Sequence, residues 1–151
     1  MRYLLSAVLS LTFLCSFAND NPNWLRHQAI SPDGSTIVFT YKGDLYTVPS
    51  SGGDAKQLTF HEAHDYKAVW SNDGKTIAFA SDRYGNFDIY TMPKDGGQAT
   101  RLTFHSTSEH PFTFSADDKN VIFGAVRQDD FMHIQYPTRA QPEVYSVPVN
   151  S

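Results

Sequence analysis

The sequence predicts an all-β protein made of propeller blades, about three of them, the third incomplete, forming an open fragment of a larger propeller. A repeat and a strand pattern carry that expectation. A block opening Ser31-Pro32-Asp33-Gly34 returns as Ser71-Asn72-Asp73-Gly74 and, altered, as Ser115-Ala116-Asp117-Asp118, at serine-to-serine intervals of 40 and 44 residues. Within each copy, short β-branched or aromatic runs alternate with turn residues, and no stretch beyond the N-terminus has a helical period.

The elements follow in order. Ser-Pro-Asp-Gly places proline at the second turn position and glycine at the fourth, where positive φ is common. Asp118 takes that glycine's place in the third copy and tolerates the conformation less well. Ile37-Val38-Phe39, Ile77-Ala78-Phe79 and Val121-Ile122-Phe123 come next. Continuous apolar runs of this kind suit strands covered on both faces by neighbouring blades, so Ile37, Phe39, Ile77, Phe79, Val121 and Phe123 are expected to be buried. Asp44-Leu45-Tyr46, Asp88-Ile89-Tyr90 and Glu143-Val144-Tyr145 then repeat, each with proline three residues after the tyrosine (Pro49, Pro93, Pro148). Gly52-Gly53 and Gly96-Gly97 precede an identical Leu-Thr-Phe-His at 58–61 and 102–105.

Strands are therefore expected at 27–31, 36–41, 44–48 and 56–60, and again at 66–71, 76–81, 88–92 and 99–103. The third copy offers only three, at 111–115, 120–125 and 143–148. Three blades do not close a ring. The chain is thus expected to be the N-terminal piece of a longer protein, with open edges and blade surfaces that favour self-association.

Residues 1–18 form a separate unit. Arg2 precedes an uncharged apolar run from Tyr3 to Phe17, and Ser16-Phe17-Ala18 supplies small residues where signal peptidase reads them. This predicts a secretory signal, followed by the repeats over 19–151. Leu14 before Cys15 is too bulky for a lipobox. Cleavage after Ala18 removes the sole cysteine, leaving a mature chain without disulfides. The formal charge is −4, and loss of Arg2 makes it more negative, which argues against nucleic acid or anionic membrane partners.

Motifs for chemistry are sparse. The sequence has no Gly-x-Ser-x-Gly elbow, no phosphate-binding glycine loop and no cysteine metal site, so no catalytic, cofactor-binding or metal-ligating residue is assigned. His61-Glu62-Ala63-His64 is one residue short of the zinc motif and falls at a strand end, where the imidazoles need not converge. His61 recurs as His105, which favours a blade-linking role for both, and His110 shares that linker. Asp82, Arg83 and Asp88 form a polar cluster: either a charged rim or channel contact for peptide, or a hairpin loop in which Asp82 accepts backbone hydrogen bonds and Arg83 pairs locally with a carboxylate. Recurrence of Asp44 as Asp88 and Glu143 favours a structural role there. Phe39, Tyr41, Tyr46, Phe79, Tyr90 and Trp70 fall at or beside repeat-equivalent sites and are expected to pack between blades.

Asn21-Pro22-Asn23-Trp24, Ile30 to Gly34, Tyr41 to Pro49 and Ser81 to Tyr90 together resemble the start of secreted tricorn-protease homologues, and the repeat is similar to TolB-type propeller repeats. The resemblance covers essentially all of residues 19–151. It implies a propeller that gates or guides peptides, with catalysis in a later region carrying a PDZ domain and a serine nucleophile. No catalytic residue can be transferred to this chain. The expected partners are the remainder of the parent peptidase and peptide or protein ligands, in a bacterial periplasmic or extracellular setting. A TolB-like interaction propeller without enzymatic activity, or the propeller of a prolyl-oligopeptidase-type enzyme, are the alternatives. The segment from Val126 to Gln141 departs from the repeat.

Overall fold

The computed structural model describes residues 24–127 and 142–150. The signal peptide expected at 1–18 and most of the 126–141 segment lie outside the described residues. Among the described residues there is no helix, and eleven strands form three antiparallel sheets. Blade one holds β1 (Arg26–Ile30), β2 (Thr36–Tyr41), β3 (Asp44–Pro49) and β4 (Lys56–Gln57). Blade two holds β5 (Asp65–Trp70), β6 (Thr76–Ser81), β7 (Asp88–Pro93) and β8 (Thr100–Arg101). Blade three has β9 (Glu109–Phe114), β10 (Asn120–Ala125) and β11 (Glu143–Pro148). The strands pair in sequence order, so each blade is a plain meander, and the third has three strands, as the repeat predicts.

The repeated serine and aspartate build one turn three times. Ser31 Oγ, Ser71 Oγ and Ser115 Oγ each donate to the aspartate two residues on and accept the N–H of the residue opening the next strand. Gly34 and Gly74 take φ of 73° and 68° there, and Asp118 takes 57°. Asp118 holds that unfavourable conformation because its carboxylate reaches the preceding blade. It accepts from Asn72 N–H and Asn72 Nδ2 at 2.7 Å and from Asp73 N–H at 2.9 Å. At the preceding joint Pro32, which has no N–H, faces Gly74 instead.

The fourth strands are two residues long where five were expected. The ladder is completed by a side chain. Leu58 N–H donates to Leu45 O, but Leu45 N–H donates to Thr59 Oγ1 at 2.9 Å in place of a carbonyl. Leu102, Ile89 and Thr103 repeat the arrangement, with Ile89 N–H 2.8 Å from Thr103 Oγ1. The shared Leu-Thr is therefore a strand that ends in a hydroxyl.

Two cores lie between blades. Val38, Leu45 and Leu58 of blade one meet Ala68, Ile77, Phe79, Tyr90 and Met92 of blade two. Ala78, Ile89 and Leu102, on the other face of blade two, meet Phe114, Val121 and Phe123 of blade three. Blade two is thus covered on both sides, and Ile77 and Phe79 are fully buried. Phe39, Val121 and Phe123 are buried as expected, whereas Ile37, on a face of blade one that no blade among the described residues covers, is only half-buried; Phe39 shares that face but stacks on Tyr46. Trp70 packs half-buried against the first core and donates its indole N–H to Ala29 O across the joint.

Candidate functional site

The first strand of each blade lies beside the first strand of the next, so β1, β5 and β9 are the innermost strands, at the centre of the blade array. All three are bulged. The β1 and β5 registers shift between Arg26 and Ala29 and between Tyr66 and Val69, and the repeat-equivalent His27 and Lys67 adopt φ of 51° and 53°. Left-handed backbone at non-glycine residues is costly and is concentrated at functional positions, and a bulge re-aims the side chains around it. In β9 the matching residue is Pro111, whose ring bars positive φ. There Phe112 is the extra residue, set over Gly124.

These bulges assemble a ring cluster about Tyr66. Its ring lies 5.3 Å from His27, 5.5 Å from His64, 4.6 Å from Phe87 and 5.6 Å from His110. Tyr66 Oη and His110 Nδ1 share a 2.6 Å hydrogen bond. Burial, then the Lys67 ammonium, push the His27 and His110 imidazoles below their usual range, and burial raises the Tyr66 phenol. The His27, His110 and Tyr66 rings are therefore held toward their uncharged forms beside the Lys67 ammonium. A cleft of about 420 Å³ opens alongside, bounded by Trp24, Arg26, the Lys42–Asp44 hairpin and His61 to His64. Flat rings, both charge signs and hydrogen-bonding groups suit an extended polar chain such as a peptide.

Beneath this surface runs a repeated acid–arginine unit. Asp65 and Glu109 open β5 and β9, and each is fully buried. Arg83, just past β6, lies 2.9 Å from Asp65, and Arg127, just past β10, pairs with Glu109. Each guanidinium also covers a stacked aromatic pair: Arg83 over Phe79 and Tyr90, and Arg127 over Phe123 and Tyr145. Blade one keeps the stacked pair, Phe39 on Tyr46, but has Leu25 and Gly43 where the acid and arginine belong. Asp88 pairs with Arg101 at 2.7 Å, and burial still pushes its carboxyl up against that attraction. Burial likewise raises Asp44, which accepts from Thr59 Oγ1 and Gln57 Nε2.

The residues singled out in the sequence fall into place around these units. His61 Nδ1 accepts the Ala63 N–H and His105 Nδ1 accepts the Thr107 N–H, the same local contact in both linkers. His64 turns its ring to Tyr66 and Phe87 instead, away from the turn that His61 closes. Asp82 does accept a backbone hydrogen bond, but from the His64 N–H at 2.7 Å, eighteen residues back in the linker before β5 and not within its own hairpin. Arg83 does pair with a carboxylate, but one eighteen residues back, on the first strand. Among the described residues no group of three or more histidine, cysteine or acidic side chains could hold a metal ion. Sequence reasoning missed Tyr66, Lys67, Asp65 and Glu109. The shared spacing from Asp65 to Arg83 and from Glu109 to Arg127 could have found the ion pairs, whereas the bulges leave no comparable trace.

The meandering sheets, the inter-blade cores and the innermost bulged strands define part of a β-propeller. The chain belongs to the tricorn protease N-terminal β-propeller domain family, whose sequence profile matches residues 22–150. It is 38% identical to dipeptidyl-peptidase 5 of Porphyromonas gingivalis over 41% of this chain and 10% of that protein. Its fold superposes on a TolB of Agrobacterium tumefaciens with a TM-score of 0.67 and 28% identity, covering 83% of this chain and 43% of that one. The tricorn protease itself superposes with a TM-score of 0.57 and 17% identity, covering 80% of this chain and 12% of that one. The chain thus spans less than half of each. Among the described residues no helix is long and apolar enough to cross a membrane.

Proposed function

We propose that this chain is the non-catalytic N-terminal propeller portion of a secreted tricorn-like serine peptidase, and that it gates or guides peptide substrates. The observation that carries this reading is membership of the tricorn N-terminal propeller family over nearly the whole chain. The Tyr66 ring cluster and the cleft beside it supply the ligand-facing surface. Peptidase chemistry needs a nucleophile activated by a positioned base and an oxyanion hole. The Thr107 hydroxyl lies 2.9 Å from His105 Nδ1, but that contact belongs to the linker turn, where the same nitrogen accepts the Thr107 N–H. Catalysis is accordingly assigned to a later region of a longer parent.

The test pairs two measurements on the purified chain. Incubation with long unstructured peptides should give no hydrolysis, while titration with the same peptides should perturb the resonances of Tyr66 and His110. Turnover abolished by a point change within the chain would overturn the reading. The likeness to TolB at 28% identity supports a second reading, an interaction propeller without enzymatic activity. Under that reading a folded protein, and not an extended peptide, is the ligand that perturbs these residues. The export signal at 1–18 is part of the proposal: material recovered from outside the inner membrane should begin at Asn19 by intact mass, and a retained N-terminus would sink it.

A further inference from the structure

We propose that the cleft at the joint between blades one and two is a side-chain pocket, and that it takes a tyrosine of an extended peptide. The inference rests on the peptide-guiding reading and narrows it to one class of side chain.

The repeat supplies an internal comparison for this cleft. Asp65 N–H donates to Gly43 O at 2.7 Å, and Glu109 N–H donates to Phe87 O at 2.7 Å, so Gly43 and Phe87 hold one position in the two joints. At the second joint a ring fills that position. Phe87 meets Tyr66 in a T-shaped contact, 4.6 Å between centroids, and Tyr66 pairs with Ala80 across β5 and β6. At the first joint the same three positions are Gly43, Arg26 and Thr40, with Arg26 paired to Thr40 across β1 and β2. A side chain starting from Gly43 would meet nothing nearer than His64 Cδ2 at 3.8 Å. The cleft of about 420 Å³ thus opens where the second joint carries a ring. It lies inside the blade array and not at either end of it.

Two further observations select the occupant. Thr40 lines the cleft at 4% exposure, and its Oγ1 is buried with no hydrogen-bond partner among the described residues. Ala80, its counterpart, has no side-chain polar atom to satisfy. A hydroxyl buried without a partner is costly, and a ligand that supplies one removes that cost. The formal charges around the cleft cancel, Arg26 and Lys42 against Asp44 and Glu62, so a charged side chain gains no net attraction. An uncharged ring with a hydroxyl at its tip meets both conditions. The ring takes the place that Phe87 takes in the second joint, and the phenol pairs with Thr40 Oγ1.

Chemical-shift titration of the full 151-residue chain tests the inference, read at Thr40 and Ala63 for the cleft and at Tyr66 and His110 for peptide binding at large. Three peptides of one Gly-Ser sequence carry tyrosine, phenylalanine or alanine at the centre. Tyrosine should bind about tenfold tighter than phenylalanine, the worth of one hydrogen bond to an otherwise unpartnered group, and alanine should bind weakest. Thr40→Val keeps the shape without the hydroxyl and should bring the tyrosine and phenylalanine peptides to equal affinity, whereas Thr40→Ser should retain the preference. Ala63→Trp, on the linker wall of the cleft, should abolish the response at Thr40, and it stands as the independent variant should Thr40→Val fail to fold. Equal affinity for all three peptides would overturn the inference while leaving the peptide reading in place. A tyrosine preference that survives Thr40→Val, or a Thr40 response that survives Ala63→Trp, would overturn it too. Binding of none of the three, with Tyr66 and His110 unmoved, would remove both readings.

Discussion

Replacing Arg83 by methionine isolates the acid–arginine unit of blade two. Methionine keeps an apolar stem against Phe79 and Tyr90 but takes the guanidinium away from Asp65, 2.9 Å distant. Asp65 is fully buried, and its second carboxylate oxygen has no hydrogen-bond partner among the described residues. Losing one member of a buried pair costs about 3–5 kcal/mol. The arginine side chain keeps 16% of its surface in solvent, so screening reduces this to roughly 2–4 kcal/mol. Loss of the cation over two rings adds about 0.5–1 kcal/mol. Arg83→Met should therefore destabilise by about 2.5–5 kcal/mol. Adding Asp65→Leu should recover most of that, since removing both charges spares the desolvation and blade one already manages with Leu25 and Gly43. Urea unfolding at fixed protein concentration, with unchanged slope, gives the numbers. A single-variant loss below about 1 kcal/mol, or a double variant no better than the single, would refute the reasoning.

Three further outcomes are expected. Thr103→Val keeps the shape but leaves the Ile89 N–H without its acceptor, at about 1–3 kcal/mol, read as lost stability and faster amide exchange at Ile89. Asp118→Gly removes three hydrogen bonds to Asn72 and Asp73 while relieving the backbone, for a net loss of about 1 kcal/mol. Adding Asn72→Pro recreates the Pro32–Gly74 joint and should return Tm toward wild type; a single variant more stable than wild type would contradict this. Because the His27 and His110 pKa values are lowered in the fold, the folded state binds fewer protons there, so stability falls as pH drops below the ordinary 6.5. Asp33, held down to about 2 by Ser31 and Ser35, contributes fully above the ordinary 3.8 and loses its contribution as pH falls toward 2. Thermal melts across pH should show both steps, and a flat profile between pH 7 and 5 would contradict the histidine assignment.

The strand order was legible because each element carries its own punctuation. Ser-x-Asp fixes the first hairpin, the Tyr-x-x-Pro spacing ends the third strand, and apolar runs mark what is sealed between blades. What stayed hidden depends on geometry that the repeat does not spell. Thr59 and Thr103 look like ordinary strand residues, yet each replaces a carbonyl with its hydroxyl, which is why β4 and β8 are short. His27 and Lys67 occupy matching positions, but nothing in either residue type announces positive φ. Arg127 lay at the start of a segment that reads as an insertion, although its guanidinium belongs to the repeated unit with Glu109. Ile37 read as core because the pattern describes an average blade, and among the described residues blade one has a neighbouring blade on one side only.

The hydroxyl endings of β4 and β8 bear on how this chain avoids sticking to itself during synthesis. A sheet edge is a template for stray strands in proportion to the length of backbone it offers. In the first two blades, the outer element offers two residues of ladder before Thr59 or Thr103 turns the last donor inward. Blade three, as described, ends in β11, a six-residue strand paired on one side only, and its sequence Glu143-Val144-Tyr145-Ser146-Val147-Pro148 has one charge. Amyloid-like misassembly and chaperone capture should therefore begin at this strand, which makes it the first place to put a lysine when soluble material is wanted.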